Sequence, residues 1–198
     1  ARGGLFVTAA PDLLFFQDTN DDGVADEKKV LLTGFGEGNQ QLRANGLTWG
    51  LDNWIYGANG RSDGAVRRPD QPVEQAVSLR GCDFRFTPDG QRFEATSGAS
   101  QFGQTRDDWG NRFLSWNTIP VRHALLDRAF IERNPRLAVF AVRDIADPTD
   151  PGQVFPKSPR PQTFNREAVD FYNALSGLSV YRGDALGKDY EGNVFVGE

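Results

Sequence analysis

An acidic loop near the amino end has the residue types and the spacing of a calcium site. Residues 18–26 read Asp-Thr-Asn-Asp-Asp-Gly-Val-Ala-Asp, so oxygen-bearing side chains recur at alternate positions and a glycine permits a tight turn. Hard oxygen ligands without histidine or cysteine select Ca²⁺ over transition metals. The predicted ligands are four side chains and one backbone carbonyl: Asp18, Asn20, Asp22, Asp26 and the carbonyl of Val24. The alternative is an acidic surface turn without a metal, although its four carboxylates would repel one another without a counter-ion.

The loop departs from helix–loop–helix calcium sites in two respects. Lys29 stands at the twelfth position, where those sites carry a bidentate glutamate, and no helix pattern precedes Asp18. We therefore expect a structural ion in a loop between β-strands, with a modest affinity suited to a calcium-rich compartment.

A second group of polar residues could bind a ligand and transfer a proton. His123 is the only histidine, and histidine exchanges protons near neutral pH, so it is the candidate catalytic base. Arg106 is the candidate that holds an anionic or carbonyl group. Four residues are candidates for cofactor binding: Arg43, Asn45, Asn59 and Asn117. The alternative for each is a structural role, since a lone histidine is commonly a satisfied structural residue and residues 106–108 could tie neighbouring sheets together.

The elements that must position these residues are short β-strands. Residues 45–59 read as a strand, a turn at Asp52-Asn53 and a second strand. The scheme recurs in residues 190–197, more loosely in 108–115, and its last half recurs in 4–8. A short hairpin that repeats at intervals of several tens of residues is typical of a blade-by-blade architecture. We predict an all-β fold and a partial β-propeller.

The rest of the chain is predicted as further strands, one proline-rich excursion and one helix. Further strands are expected at 4–8, 12–17, 29–33, 78–87 and 91–96. Five prolines between 148 and 161 mark an extended excursion. Residues 165–176 are predicted as a short helix, capped by Asn165 and ended by Gly177. Periodicity does not decide between a short helix and irregular strands at 122–133.

Composition excludes several classes of protein. The net charge of −5 argues against a general nucleic-acid binder, and no apolar run approaches the length that crosses a bilayer. Cys82 is the only cysteine, which excludes an intrachain disulfide and a Cys-x-x-Cys-His haem attachment in this chain. The 198 residues contain no methionine, and we expect them to be an internal piece of a longer protein that forms one domain, 1–198.

Four motifs, standing together in one order, resemble the membrane-bound dehydrogenase domain of large secreted proteins of planctomycetes and verrucomicrobia. They are Asp18–Glu27, Asn45–Tyr56, Gln101–Asn111 and Tyr181–Leu186. That domain is similar in turn to the soluble quinoprotein glucose and sorbosone dehydrogenases. The resemblance covers nearly the whole chain and implies a β-propeller, six-bladed or similar, of which this chain would supply about three to four blades.

The resemblance also implies a function. It implies a periplasmic or extracellular dehydrogenase that oxidises a sugar or other alcohol with pyrroloquinoline quinone and passes electrons to a c-type haem. His123 would be the base and Arg43 or Arg106 the anion holder, while the haem would lie on another domain or on a cytochrome partner. The alternative is a non-catalytic, calcium-stabilised propeller that binds glycans or protein partners as a subunit of a larger assembly.

Overall fold

The computed structural model describes residues 3–134, 136, 138–145, 149, 152–155 and 171–197. Regular structure in these residues is almost entirely β, with one α-helix of 5 residues. The first half contains β1 (Gly4–Ala9), β2 (Asp12–Gln17), β3 (Glu27–Phe35), β4 (Asn45–Trp49), β5 (Ile55–Ala58), β6 (Gly64–Arg67), β7 (Val77–Ser78), β8 (Asp83–Phe86) and β9 (Phe93–Thr96). The second half contains β10 (Gln104–Arg106), β11 (Arg112–Leu114), β12 (Arg122–Ala124), α1 (Arg128–Glu132), β13 (Val142–Asp144), β14 (Ser176–Val180) and β15 (Val194–Gly197).

These strands form four open antiparallel sheets. Sheet I has the strand order β1-β2-β3-β6-β7, and sheet II has the order β4-β5-β8-β9. Sheet III has the order β10-β11-β12-β13, and sheet IV is the hairpin β14-β15. Within a sheet, neighbouring strands also follow one another in the chain, with two exceptions. After β5 the chain leaves sheet II to form β6 and β7, so that β6 pairs with β3 at the edge of sheet I and β8 pairs with β5 in sheet II.

Local sequence explains why the strands turn where they do. The turn between β4 and β5 places Asn53 at a φ of 63°, a left-handed conformation that asparagine tolerates better than most residues. The turn between β8 and β9 ends at Gly90, whose φ is 70°, after Pro88 has pre-set the bend. Between these turns, runs of aromatic and aliphatic residues supply strands with one apolar face.

An aromatic core joins sheets I and II. Its buried residues come from both sheets and the connections next to them: Leu13, Leu32, Phe35, Ile55, Val66, Leu79, Phe84 and Phe86. The rings of Phe35 and Phe84 meet edge to face at 5.0 Å between centroids, and those of Phe6 and Phe86 do so at 5.6 Å. Such pairs add to the stabilisation from buried apolar area, so the two sheets pack face to face.

Sheet III packs between sheets II and IV. The guanidinium of Arg106 lies 3.7 Å from the ring centroid of Tyr56 in sheet II. The hydroxyl of Thr105, the residue before Arg106, accepts a hydrogen bond from the N–H of Val180 in sheet IV at 3.4 Å. Successive residues of a strand point to opposite faces, so the two faces of β10 meet different sheets. The sheets therefore follow one another in space in the order of the chain.

The first strands of sheets II, III and IV are also neighbours. The side-chain amide of Asn45, at the start of β4, donates to the carbonyl of Gln101 just before β10, at 2.9 Å. A Cβ on Gly46 would lie 2.6 Å from the Cα of Gly103, which shows how closely the two backbones approach. On its other side β10 contacts β14.

The predicted all-β class is confirmed, and the hairpin predicted at 45–59 is present as β4 and β5. Region 122–133 contains both of the alternatives, a short strand (β12) and a short helix (α1). No helix in the described ranges is long and apolar enough to span a membrane.

The predicted helix at 165–176 is wrong over its described end. Phe171 forms an isolated β-bridge with Gln153, and Ser176 begins β14. Ala174 has a φ of 71°, which a right-handed helix cannot contain. Residues 165–170, and all of the proline-rich excursion 148–161 except 149 and 152–155, lie outside the described residues.

Candidate functional site

The acidic loop joins β2 to β3 and is organised by its own carboxylates. The N–H of Asp26 donates to the carbonyl of Gln17 at 2.9 Å, which closes the base of the loop. Asp18 accepts hydrogen bonds from three backbone N–H groups, and the bond from Gly23 is 2.7 Å long. Asp22 accepts from the N–H of Val24 at 2.8 Å. The fold thus places the carboxylate of Asp18 inside the turn.

These hydrogen bonds keep two carboxylates ionised. The N–H of Gly23 is the main cause that lowers the pKa of Asp18 below its ordinary value. The pKa of Asp26 is lowered chiefly by Thr19, which donates its N–H at 2.7 Å and its hydroxyl at 2.8 Å. An ionised carboxylate is the form that a cation requires.

The loop suits Ca²⁺ by its donor chemistry more than by convergence of its carboxylates. Among the residues that the structure describes, no three His, Cys, Asp or Glu side chains lie close enough to hold a metal ion. A calcium ion there would therefore need neutral oxygens as well, and the predicted set includes two, from Asn20 and the carbonyl of Val24.

The asparagines predicted to bind a cofactor hold backbone segments together instead. Asn45 donates to the carbonyls of Arg43 and Gln101, both at 2.9 Å. Asn59 is almost completely buried, and its amide donates to the carbonyls of Ser62 and Leu79. The NH₂ groups of both asparagines are therefore already used inside the fold, whereas the buried side-chain oxygen of Asn59 has no hydrogen-bond partner among the described residues.

Asn117 links sheet III to the segment that leads into sheet IV. Its side-chain oxygen accepts from the N–H of Ala174 at 3.2 Å, and its amide donates to Asn173 at 3.0 Å. The remaining candidate, Arg43, donates to the carbonyl of Glu37 at 2.7 Å. The bonds of the four predicted cofactor residues do not point to one quinone pocket, so we derive no chemistry through that group.

His123 and Arg106 are not brought together. His123 pairs with Phe113 across β11 and β12, with 5.0 Å between the ring centroids. Phe113 pairs with Thr105 in β10, so His123 belongs to the row of side chains that includes Thr105, while Arg106 is in the opposite row. The two predicted catalytic residues therefore lie on opposite faces of sheet III.

A buried ion pair that the sequence did not single out joins sheets II and III. Asp83, with no exposed surface, accepts from the N–H groups of Asn59 and Ser100 at 3.0 and 2.9 Å and from the Ser100 hydroxyl. The guanidinium of Arg112 lies 3.6 Å from the same carboxylate. Burial raises the pKa of Asp83, and Arg112 opposes that shift. The available signal was Asp83, a carboxylate directly before the alternating residues Phe84, Arg85 and Phe86.

Next to this pair, sheet II turns a polar face toward sheet III. Arg85 forms an ion pair with Glu94 at 2.6 Å and donates to the Tyr56 hydroxyl at 3.0 Å. Burial acts to lower the pKa of Arg85, but the hydrogen bonds that Arg85 donates to Tyr56 and Glu94 outweigh burial and raise the pKa. The Tyr56 hydroxyl in turn donates to Asp52 at 2.8 Å. This face is thus a connected network around one tyrosine.

A cavity of about 500 Å³ opens between α1 and the edges of sheets II and III. Cys82 lines it, and the guanidinium of Arg128 contacts the sulfur. Burial raises the pKa of the Cys82 thiol although Arg128 opposes the shift, so the thiol form is favoured and the group is a weak nucleophile.

The chain belongs to a family described as a domain of unknown function (DUF7133), whose model matches residues 1–198. No curated protein sequence and no solved structure matches the chain significantly. The family description assigns no activity, so any function rests on the residues and geometry of the chain itself.

Proposed function

We propose that this member of the DUF7133 family is a calcium-stabilised segment of a β-propeller. It would work in the periplasm or outside the cell as a glycan-binding subunit of a larger assembly. Sheets I to IV would supply about three to four blades of a ring that is six-bladed or similar.

The contact between the first strands of neighbouring sheets is the main support for the proposed propeller. In a propeller, four-stranded antiparallel sheets follow one another around an axis, and the first strand of each blade lies innermost. Sheets II and III have four strands each, and their first strands β4 and β10 are neighbours, with β14 next to β10. Sheets that pack only through their broad faces do not need to bring their first strands together in this way.

The acidic loop supports two parts of this proposal, the bound calcium ion and the location outside the cytosol. Asp18, Asn20, Asp22 and Asp26 offer side-chain oxygens in the turn between β2 and β3, and Val24 offers a carbonyl. Loops with few carboxylates and without a rigid helical frame bind Ca²⁺ weakly, with Kd values of about 10⁻⁴–10⁻³ M. Such a site fills in extracellular or periplasmic fluid rather than in the cytosol.

Exposed aromatic and aliphatic residues at one end of the sheets support glycan binding. Trp109, in the turn between β10 and β11, is 84% exposed, and Leu51, in the turn between β4 and β5, is 71% exposed. The two turns adjoin, since a Cβ on Gly110 would lie 3.5 Å from the Leu51 side chain. Asp108 and Arg182 form an ion pair at 2.5 Å beside Trp109. A flat indole can stack on a sugar ring while charged groups bond its hydroxyls.

Replacement of the exposed indole tests the glycan-binding proposal. Trp109→Ala should weaken binding of oligosaccharides at least about tenfold, because the stacking surface is lost while the fold is not. Leu5→Ala, which removes a side chain that is 63% exposed on sheet I, is the matched control and should leave binding unchanged. Affinity electrophoresis in polysaccharide gels measures both variants. Equal retention of Trp109→Ala and the parent protein would contradict the proposal.

The four motifs that resemble the quinoprotein-like dehydrogenase domain favour a second candidate function. In that role the protein would oxidise a sugar or other alcohol and pass electrons to a c-type cytochrome domain or subunit. Reduction of a dye in the presence of pyrroloquinoline quinone, lost in His123→Ala, would favour this candidate over a purely binding role. Unchanged dye reduction in His123→Ala would exclude His123 as the base.

A further inference from the structure

The cavity of about 500 Å³ beside α1 has the size of a small-molecule site. It is bordered by the residues before β8 and after β9, by α1, and by β12 and β13 with the segment that leads into β13. Its apolar lining consists of Ala99, Ile131, Phe140, Ala141 and Val142. The Phe140 side chain is 73% exposed, so its ring is available to a ligand. An apolar lining with a few charged groups is typical of sites for small organic molecules.

Arg122, at the start of β12, lines this cavity with donors that no described residue uses. Its Nε donates to Asp144 at 2.8 Å, and its guanidinium lies over the indole of Trp116, 5.0 Å from the ring centroid. These two contacts hold the planar group in one orientation. The Nη1 and Nη2 groups of Arg122 have no acceptor among the described residues, so they remain available to a ligand.

Arg128, at the start of α1, borders the same cavity from a different element. Its Nε donates to Glu132 at 2.5 Å and its Nη1 contacts the sulfur of Cys82, which leaves Nη2 without an acceptor in the described part of the chain. Glu132 is the one carboxylate in the lining, against the two guanidiniums of Arg122 and Arg128. Positive charge is therefore in excess in the lining, and both guanidiniums are pre-oriented by contacts with the protein.

An organic acid uses both parts of this lining. A carboxylate is planar and negatively charged, so it can accept two parallel hydrogen bonds from a guanidinium. An apolar body attached to that carboxylate would cover Ile131, Phe140 and Val142 and remove their surface from water. Inorganic phosphate would satisfy the donors but leave the apolar lining in water. A neutral apolar molecule would cover the lining but leave the donors without an acceptor.

We propose that the cavity beside α1 binds a small organic acid, whose carboxylate accepts hydrogen bonds from Arg122 and Arg128. Its apolar body, an aromatic ring or a branched alkyl group, lies against α1 and β13. The ligand binds reversibly, because the thiol form of Cys82 is favoured and is a weak nucleophile. The lining contains no residue of the acidic loop or of the turns that carry Leu51 and Trp109, so this inference is independent of calcium and glycan binding.

Titration with 3-phenylpropionate and with 3-phenylpropanol, followed by saturation-transfer NMR, tests the proposal. The two probes share one apolar body and differ in the carboxylate. The acid should bind with a Kd of about 1–5 mM, as expected for its size, and the alcohol about tenfold more weakly. Arg122→Gln and Arg128→Gln should each weaken binding of the acid about tenfold. Arg68→Gln, which removes the same charge from an ion pair with Asp70 outside the cavity, should leave it unchanged.

Alkylation of Cys82 gives a second reading that needs no arginine variant to fold. Cys82 is the only cysteine and lines the cavity, so its reaction with N-ethylmaleimide, followed by mass spectrometry, reports on occupancy. The acid at about ten times its Kd should slow this reaction about tenfold, and the alcohol at the same concentration should slow it much less. Equal affinities for acid and alcohol, unchanged binding in both arginine variants, or no protection of Cys82 by the acid would overturn the proposal.

Discussion

At the scale of single residues, buried polar side chains act mainly as fasteners between sheets. Asp83 collects hydrogen bonds from two loops and an ion pair from Arg112, and Asn45 and Asn117 connect neighbouring sheets in the same manner. Gly98 is part of this arrangement, because a Cβ there would lie 2.5 Å from the Asp83 carboxylate. The polar content of the interior therefore serves the packing of the sheets.

Asp83→Ala should be one of the most damaging single substitutions. It leaves the N–H groups of Asn59 and Ser100 and the charge of Arg112 buried without an acceptor, so we expect a loss of about 3–5 kcal/mol in the free energy of unfolding. Urea titration followed by tryptophan fluorescence measures this loss. The matched control is Asp70→Ala, whose carboxylate is exposed and which should lose less than about 1 kcal/mol. Similar losses in the two variants would show that the buried pair does not fasten the sheets.

The types of these residues were visible in the sequence, but their roles were not. Asn45 begins β4, Asn59 follows β5 and Asn117 lies between β11 and β12. The predicted propeller would present all three near its axis, so the sequence predicts that they bind a cofactor. Their actual partners include Gln101 and Ala174, which are 56 and 57 residues away in the chain. Spacing along the chain contains no information about such distant pairs. The placement of His123 and Arg106 on opposite faces likewise depends on strand register.

At the scale of elements, local signals predicted the hairpins well and the segment before β14 poorly. The turn residues of β4-β5 and β8-β9 stand between apolar runs, so both hairpins could be located from sequence alone. The segment before β14 has apolar residues at helical spacing, yet its described residues 171–175 are not helical. The N–H of Leu175 there donates to the carbonyl of Asn117 at 3.2 Å. Tertiary hydrogen bonds thus override the local pattern.

For the loop between β2 and β3, the proposed calcium ion predicts how a substitution changes stability. Asp22→Ala should lower Tm by several degrees in millimolar calcium but change it little in chelator, because the substitution removes one proposed ligand from a loop that is otherwise self-supporting. Differential scanning calorimetry in both buffers measures the difference. Asp70→Ala serves again as the control and should not respond to calcium. Equal losses with and without calcium would exclude an ion at this loop.

The loop also predicts a dependence on pH in chelator. Since the pKa values of Asp18 and Asp26 are lowered in the folded state, their stabilising contribution is present above the ordinary value of 3.8 and is lost as the pH falls through the lowered values. The stability of Asp26→Asn should therefore fall less on acidification than that of the parent protein.

At the scale of the whole molecule, the order in which the four sheets pack supports the proposed propeller. Sheet II has an aromatic face toward sheet I and a polar face toward sheet III, and sheet III meets sheet IV on its far side. A sequence of sheets, each held to the next, in which the first strands of sheets II, III and IV lie beside one another, fits blades around an axis. The turns that carry Leu51 and Trp109 would then lie on one rim of the ring.

A crystal structure of the protein grown in calcium tests the central claim most directly. The account predicts that sheets I to IV fan around one axis with β4, β10 and β14 innermost, and that an ion lies among the oxygens of residues 18–26. Sheets that stack as flat sandwiches without a common axis, with β4 and β10 on outer edges, would contradict it.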